Sequence, residues 1–253
     1  MRAEERQHRI LSQARTDGRV DVSGIAADLA VAPETVRRDL KVLEQHGLVR
    51  RTHGGAYPVE SAGFETNLAN RATLRVPEKR RIAAAAVELL GDAETVFVDE
   101  GFGPQLVAEA FPPGRPLTVI TASIPVATQL ATKPETTVYL LGGRVRGRTL
   151  ATVDHWATQM LTGFVIDLAY LGANGISRRY GLTTPDPAVA NVKAQVVRAS
   201  RRRVFTGVHT KFGVNSFCRF ASVVDFETIV TDTGLSAVEA QRYSVLGPQV
   251  IRA

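Results

Sequence analysis

Residues 33–58 read PETVRRDLKVLEQHGLVRRTHGGAYP, and this stretch decides how the amino-terminal part of the chain folds. Val36, Leu40 and Leu43 recur at helical spacing, which predicts a helix over Pro33 to Gln45 with a single apolar stripe. Pro33 suits the first turn, where a missing N–H costs nothing, and Glu34 complements the positive end of the helix dipole. Gly47 is a natural stop. Opposite the stripe stand Thr35, Arg37, Arg38 and Lys41. Residues 48–55, LVRRTHGG, then read as a short β-hairpin carrying Arg50, Arg51 and His53.

Upstream, Ile10, Leu11 and Ala14 sit at helical spacing in a segment that stops near Asp17-Gly18. Val20 to Val22 is a short extended piece. Ile25, Ala26 and Leu29 mark a second helix, with Asp21 or Ser23 as its cap. Two short helices joined by a few residues, the second with a basic outer face, describe a helix-turn-helix, and the hairpin after them is a wing. Such a helix enters the major groove, where arginine donates bidentately to guanine O6 and N7. Arg50, Arg51 and His53 are expected along the phosphate backbone, contacts that fix register without reading sequence. Residues 1–60 hold 10 Lys/Arg against 9 Asp/Glu, so local clustering rather than net charge marks this face.

The run from Glu34 to Pro58 resembles the signature of DeoR-type transcription regulators, whose recognition helix carries Thr-x-Arg-Arg-Asp-Leu followed by Gly-Leu-x-Arg-x-His-Gly-Gly-Ala. The match covers about 25 residues and nearly every position, with Ala32 standing where the family usually has a serine N-cap; losing such a cap costs on the order of 1 kcal/mol.

The chain has 253 residues, 44% of them hydrophobic and 22% charged, enough apolar material for a small module and a medium one. The expected domains are a winged helix-turn-helix over 1–57, a linker over 58–77 and an α/β domain over 78–253. The single cysteine, Cys218, excludes an internal disulfide framework and a Cys-rich zinc site. His46, His53, His155 and His209 are too scattered to suggest a metal, and no cofactor is expected. With no signal-like start and no apolar run long enough for a bilayer, the expectation is a cytoplasmic protein without membrane association. The formal net charge of +6 suggests an anionic partner.

From residue 78 helices and strands alternate. KRRIAAAAVELL, Gln105 to Phe111, Pro125 to Ala131 and Pro187 to Ser200 read as helices, with Arg201, Arg202 and Arg203 ending the last. Strands are expected at Glu94 to Asp99, Leu117 to Thr121, Thr137 to Leu141, Ile166 to Leu171, Val204 to Val208 and Thr228 to Thr231. Alternation of this kind implies right-handed crossovers and a mostly parallel sheet. The fold class is therefore α/β, a winged helix-turn-helix plus a larger domain whose ligand is expected at the carboxyl ends of its strands. The residues that follow those strands are the candidate effector-binding set: Asp99, Gly101, Thr121, Ser123, Gly142, Gly143, Lys193 and Lys211. Trp156 is read as core, and His209 as a surface or packing residue.

This half also resembles DeoR-type regulators, through TVITASIPVA, LLGGRV, DLAYLGANGIS, GLTTPD, Lys193, Lys211-Phe212-Gly213 and IVTD. The resemblance implies a sensor domain related to ribose-5-phosphate isomerase and coenzyme A transferases, responding to phosphorylated sugars or related metabolites. Departures fall where a ligand is expected. Phe102 and Gly103 replace the two threonines of the family's Asp-x-Gly-Thr-Thr loop, Asp154 replaces a common glycine, Val189 an acidic residue, and Val208 an aspartate. Losing those hydroxyls beside Glu100 disfavours a simple sugar phosphate.

The expected function is thus a DNA-binding transcription regulator, a repressor, that is no enzyme, with double-stranded operator DNA and a small-molecule effector as partners and a homodimer or tetramer as its assembly. The alternative is a sugar-phosphate isomerase or coenzyme A transferase using Asp99, Glu100, Lys193 and Lys211 for proton transfer, although such an enzyme has no use for a winged helix. A third reading makes the pocket vestigial and the protein a ligand-independent DNA binder. The sequence names neither operator nor effector.

Overall fold

The computed structural model describes residues 3–17, 19–45, 48–52, 54–58 and 74–253. The chain divides into two compact units, Met1–Phe64 and Glu65–Ala253.

In the first unit, α1 (Ala3–Asp17), α2 (Val22–Asp28) and α3 (Pro33–Gln45) accompany a three-stranded antiparallel sheet of β1 (Val20–Asp21), β2 (Val49–Thr52) and β3 (Gly55–Pro58), ordered β1-β3-β2. Asp21 is the cap of α2, accepting from the Gly24 amide at 2.8 Å. Ile10, Ala14, Ile25, Val36, Leu40 and Val49 close the core. Each of the isoleucine, valine and leucine side chains contributes about 1.5–3 kcal/mol when fully buried. Gly55 is required by the sheet, because a Cβ there would meet the Val20 carbonyl oxygen at 2.2 Å.

The second unit is a three-layer α/β fold. Seven parallel strands run in the order β15-β14-β12-β9-β4-β5-β6. They are β4 (Thr95–Val98), β5 (Leu117–Thr121), β6 (Thr136–Leu140), β9 (Ile166–Leu171), β12 (Ser200–Thr206), β14 (Thr228–Thr231) and β15 (Gln249–Arg252). One face packs on α4 (Val76–Val87), α5 (Phe102–Glu109) and α6 (Ile124–Leu130) through Ile82, Val107, Val126 and Leu168. The other packs on α7 (His155–Leu161), α8 (Pro187–Ala199) and α9 (Ala237–Ser244) through Phe97, Leu161, Val196 and Tyr243. Strands covered on both faces must be apolar throughout, which is why they read as unbroken hydrophobic runs.

Two small sheets were not expected from the pattern: the hairpin β7 (Arg144–Arg146) with β8 (Ala151–Val153), and an antiparallel trio of β10 (Gly175–Ser177), β11 (Gly181–Thr184) and β13 (Cys218–Ala221). Strands of three or four residues carry too little alternation to register as periodicity. Arg201, Arg202 and Arg203 do not end a helix as expected. They lie in β12, where Arg202 pairs with Glu227 at 2.9 Å and Arg203 donates to backbone carbonyls including that of Asp225. Trp156 is not core either; it is 69% exposed on α7.

Candidate functional site

In the first unit α3 buries Val36, Asp39, Leu40 and Leu43 and leaves Arg37, Arg38 and Lys41 exposed, with Thr35 half-buried. Asp39, which the sequence presents as one more surface charge, is 3% exposed. It accepts from Arg6 of α1, with the second guanidinium contact at 3.2 Å, and from Gln7 at 3.0 Å. The hydrogen bond to Asp39 raises the Arg6 guanidinium further above its ordinary value. This pair fixes α1 against α3, so the aspartate orients the helix while its neighbours face outward.

The outward cations differ among themselves. Arg37 lies 3.0 Å from Glu34 one turn earlier. Arg51 donates both its amide and its Nε to Glu44, at 3.0 and 2.7 Å, and so ties β2 to α3. Arg38 and Lys41 have no ion-pair partner among the described residues. The side chain of Arg50 and the whole of His53 fall outside the described residues. A basic surface formed by α3 and a hairpin fastened to it has the geometry of a winged helix meeting the groove and the flanking phosphates.

In the second unit the strand-end residues are brought together in part. Asp99, directly after β4, accepts from the Lys193 ammonium of α8 and from the Gly172 amide after β9 at 2.8 Å. Lys193 also donates to the Gly172 carbonyl at 3.2 Å, and both charged side chains are buried. Gly101 begins α5 at φ +106°, next to Asp99. The Thr121 hydroxyl donates to Val98 at 2.7 Å and accepts from the Ser123 amide at 3.0 Å, while Ser123 caps α6. These hydroxyls therefore already carry backbone contacts. Gly142 donates to the Met160 sulfur at 3.1 Å, and Gly143 stands at φ +134° against β8.

The departures from the family pattern have visible surroundings. Phe102 is half-buried at the start of α5 with the Lys79 ammonium 5.4 Å above its ring. Val189 and Val208 are buried at 2% and 5% exposure. Asp154 adopts φ +78°, ψ −165°, a region essentially reserved for glycine, and Arg144 holds it at 2.7 Å.

One group escaped the sequence reading. His209, expected to be a surface or packing residue, presents Nδ1 to Asp232 Oδ2 at 2.6 Å, and its amide donates to Asp232 Oδ1 at 2.7 Å. Gly234 completes the fit, since a Cβ there would lie 2.2 Å from the imidazole. Burial by itself raises the Asp232 carboxyl, but the His209 amide, the His209 ring and the Gly234 amide outweigh it and hold the group below its usual value. The available signal was a carboxylate placed right after a buried strand. Lys211 lies in the same turn as His209, at the end of β12. Among the described residues no group of three or more His, Cys, Asp or Glu is placed to hold a metal, and no helix is long and apolar enough to cross a membrane.

Comparison with known proteins matches residues 6–62 to the DeoR-like helix-turn-helix domain and residues 74–233 to the DeoR C-terminal sensor domain. The chain is 34% identical to the HTH-type transcriptional regulator GlpR of Haloferax volcanii over 98% of its own length and 96% of that protein. It is 28% identical to the glycerol-3-phosphate regulon repressor of Escherichia coli, covering 92% of each chain. It is also 28% identical to an uncharacterized HTH-type transcriptional regulator, FruR, of Bacillus subtilis, covering 90% of each. With a basic-faced winged helix-turn-helix and a doubly covered α/β unit matched along nearly the whole chain, this protein belongs to the DeoR family of DNA-binding transcription regulators.

Proposed function

We propose that the protein is a repressor that binds operator DNA as a homodimer, through Thr35, Arg37, Arg38 and Lys41 of α3 and through Arg50, Arg51 and His53 of the wing, and that a small metabolite bound by the α/β unit alters that affinity. The observation that carries this reading is the outward basic face of α3, with Arg38 and Lys41 uncommitted among the described residues. The names of the relatives, a regulon repressor among them, support the repressor sense. An enzymatic role is not proposed. Of the four candidates for proton transfer, Asp99 and Lys193 are paired with each other and buried.

The effector reading is a small phosphorylated metabolite or derivative with an apolar or aromatic part. It docks over the strand ends near Asp99, Gly101, Thr121, Ser123, Gly142, Gly143, Lys193 and Lys211. Phe102 in place of a hydroxyl, with Val189 and Val208 buried, supports the apolar component. An effector must bind the two conformations unequally, and the coupling is typically about 1–3 kcal/mol.

The test begins with DNA fragments captured by the purified protein, which supply the operator for binding assays. Calorimetry with pentose and hexose phosphates is expected to give weak or no binding, and the Phe102→Thr, Gly103→Thr double variant to recover some. Micromolar binding of an ordinary sugar phosphate to the unaltered protein, with release from DNA, overturns the effector reading and leaves the DNA-binding one standing.

A further inference from the structure

Three basic residues follow one another in the first turns of α4, Lys79-Arg80-Arg81, and they are not used alike. Arg80 and Arg81 are exposed, whereas Lys79 is half-buried. The Lys79 ammonium donates to the Leu74 carbonyl at 2.7 Å and stands 5.4 Å from the centre of the Phe102 ring. A cation within about 6 Å of an aromatic face is attracted by the quadrupole of the ring, and more strongly where water is partly excluded. Each end of this contact has a distinct position. Leu74 and Arg75 immediately precede α4, on the side from which the chain arrives from the first unit. Phe102 opens α5, directly after Gly101 in the loop that carries Asp99, and its ring packs on the core that includes Ile82 and Leu106.

The backbone at the entry of α4 is strained. Arg75, the N-cap of the helix, adopts φ +52°, ψ +44°, the left-handed region, and makes no side-chain cap. A residue with a Cβ stays in that region only where its surroundings hold it. Lys79 holds Arg75 from both sides. Its side chain takes the carbonyl of the preceding residue, Leu74, and its amide donates to the Arg75 carbonyl at 3.1 Å. Arg75 and Glu78 add an ion pair at 3.8 Å. Leaving the left-handed region turns the peptide groups on either side of Arg75, and one or two such residues suffice to redirect a chain.

We propose that Lys79 is a positioning residue that ties the effector loop to the entry of α4. With its ammonium on the Phe102 ring it holds Arg75 in the left-handed conformation; a change at the ring releases Arg75 and redirects the connection to the DNA-binding unit. The proposal rests on the repressor reading above and adds the contact through which the α/β unit alters DNA affinity. The held arrangement is assigned to operator binding. An apolar or aromatic group seated on the Phe102 ring takes the face that Lys79 occupies. Such an effector binds the two arrangements unequally, as any ligand that shifts an equilibrium must. A threonine in place of Phe102 offers no such face.

The substitution Phe102→Leu stands in for the effector, since it removes the ring and keeps apolar bulk. Lys79→Met keeps the length of the stem and removes the charge, and Lys79→Arg restores a cation. All are made in the full chain, with circular dichroism and thermal unfolding to verify the fold. Two quantities are read: operator affinity, on a fragment recovered by DNA capture, and amide exchange of the 74–80 peptide by mass spectrometry. Phe102→Leu and Lys79→Met should each speed that exchange several-fold and weaken operator binding about 5- to 20-fold, within the usual range of such couplings. The double variant should bind no more weakly than Lys79→Met alone, and Lys79→Arg should resemble the parent. A purely local role would move exchange alone, so faster exchange with parental operator affinity overturns the link to DNA binding. A Phe102→Leu variant whose exchange over 74–80 equals that of the parent overturns the contact itself. So do single losses that multiply in the double variant, because independent sites add their free energies. If the parent does not distinguish a captured fragment from a scrambled duplex, the repressor reading fails, and exchange still decides the Lys79 contact.

Discussion

Lys193, in the second turn of α8, donates to Asp99 at the end of β4, 94 residues earlier in the chain, and both side chains are almost wholly excluded from solvent. The Gly172 amide and carbonyl complete the hydrogen bonding of the two charges and draw β9 into the same knot. Removing one member leaves the other buried and uncompensated, which costs about 3–5 kcal/mol. Lys193→Met and Asp99→Asn are each expected to lower stability by that order in urea unfolding, while the double variant recovers much of the loss. Single variants as stable as the parent would mean that the pair does not hold the sheet to α8.

The cations of α3 are expected to contribute unequally to DNA binding. Arg37 is already engaged by Glu34, whereas Arg38 is not engaged by any described residue. Arg38→Ala should cost operator affinity and relax base preference by about 1–3 kcal/mol, with Arg37→Ala smaller. Titrations on operator and scrambled duplexes measure both. Equal, negligible losses would remove α3 from the groove.

Salt dependence provides a separate reading of the wing. Arg51 is engaged by Glu44, as Arg37 is by Glu34, whereas Lys41 has no ion-pair partner among the described residues. Each phosphate neutralised steepens the fall of log affinity with log salt by about 0.9. Lys41→Ala should lower that slope by about one and Arg51→Ala by less, both leaving base preference unchanged. A parent slope near zero contradicts a phosphate-contacting wing.

Gly55→Ala tests the coupling of wing and helices. The added methyl meets the Val20 carbonyl oxygen, which is backbone and cannot swing aside. The substitution should destabilise the first unit by more than about 1 kcal/mol. Calorimetric scans check this: the transition of the first unit is expected to move down and that of the α/β unit to stay.

Acid should act on the His209–Asp232 pair. The folded Asp232 carboxyl lies below its unfolded value of 3.8. A group of that sign contributes stability that is complete above the unfolded value and is lost as pH falls through the folded one. Stability of the parent is therefore expected to decline below about pH 4 more steeply than that of Asp232→Asn. The slope of unfolding free energy against pH is the measurement, and parallel curves for the two proteins contradict the assignment.

The sequence by itself determined the winged helix-turn-helix and the alternation that makes a parallel sheet. The reason is that both are written in local periodicity: Val36, Leu40 and Leu43 along one helix, and apolar runs such as TVFV and IDLAYL in strands covered on both faces. Fixed motifs around Arg37-Arg38-Asp39-Leu40 and Gly54-Gly55 added the family. Tertiary structure alone decided which charges are used up. Asp39 to Arg6, Arg51 to Glu44, Asp99 to Lys193 and His209 to Asp232 join elements far apart in sequence, and periodicity says which face of an element is inside but not what meets it there. Trp156 makes the same point from the apolar side. Its hydrophobicity predicted burial, yet α7 stands at the sheet edge with only Ala157 and Leu161 buried, so the outer face of that helix is left to solvent by geometry that no local pattern records.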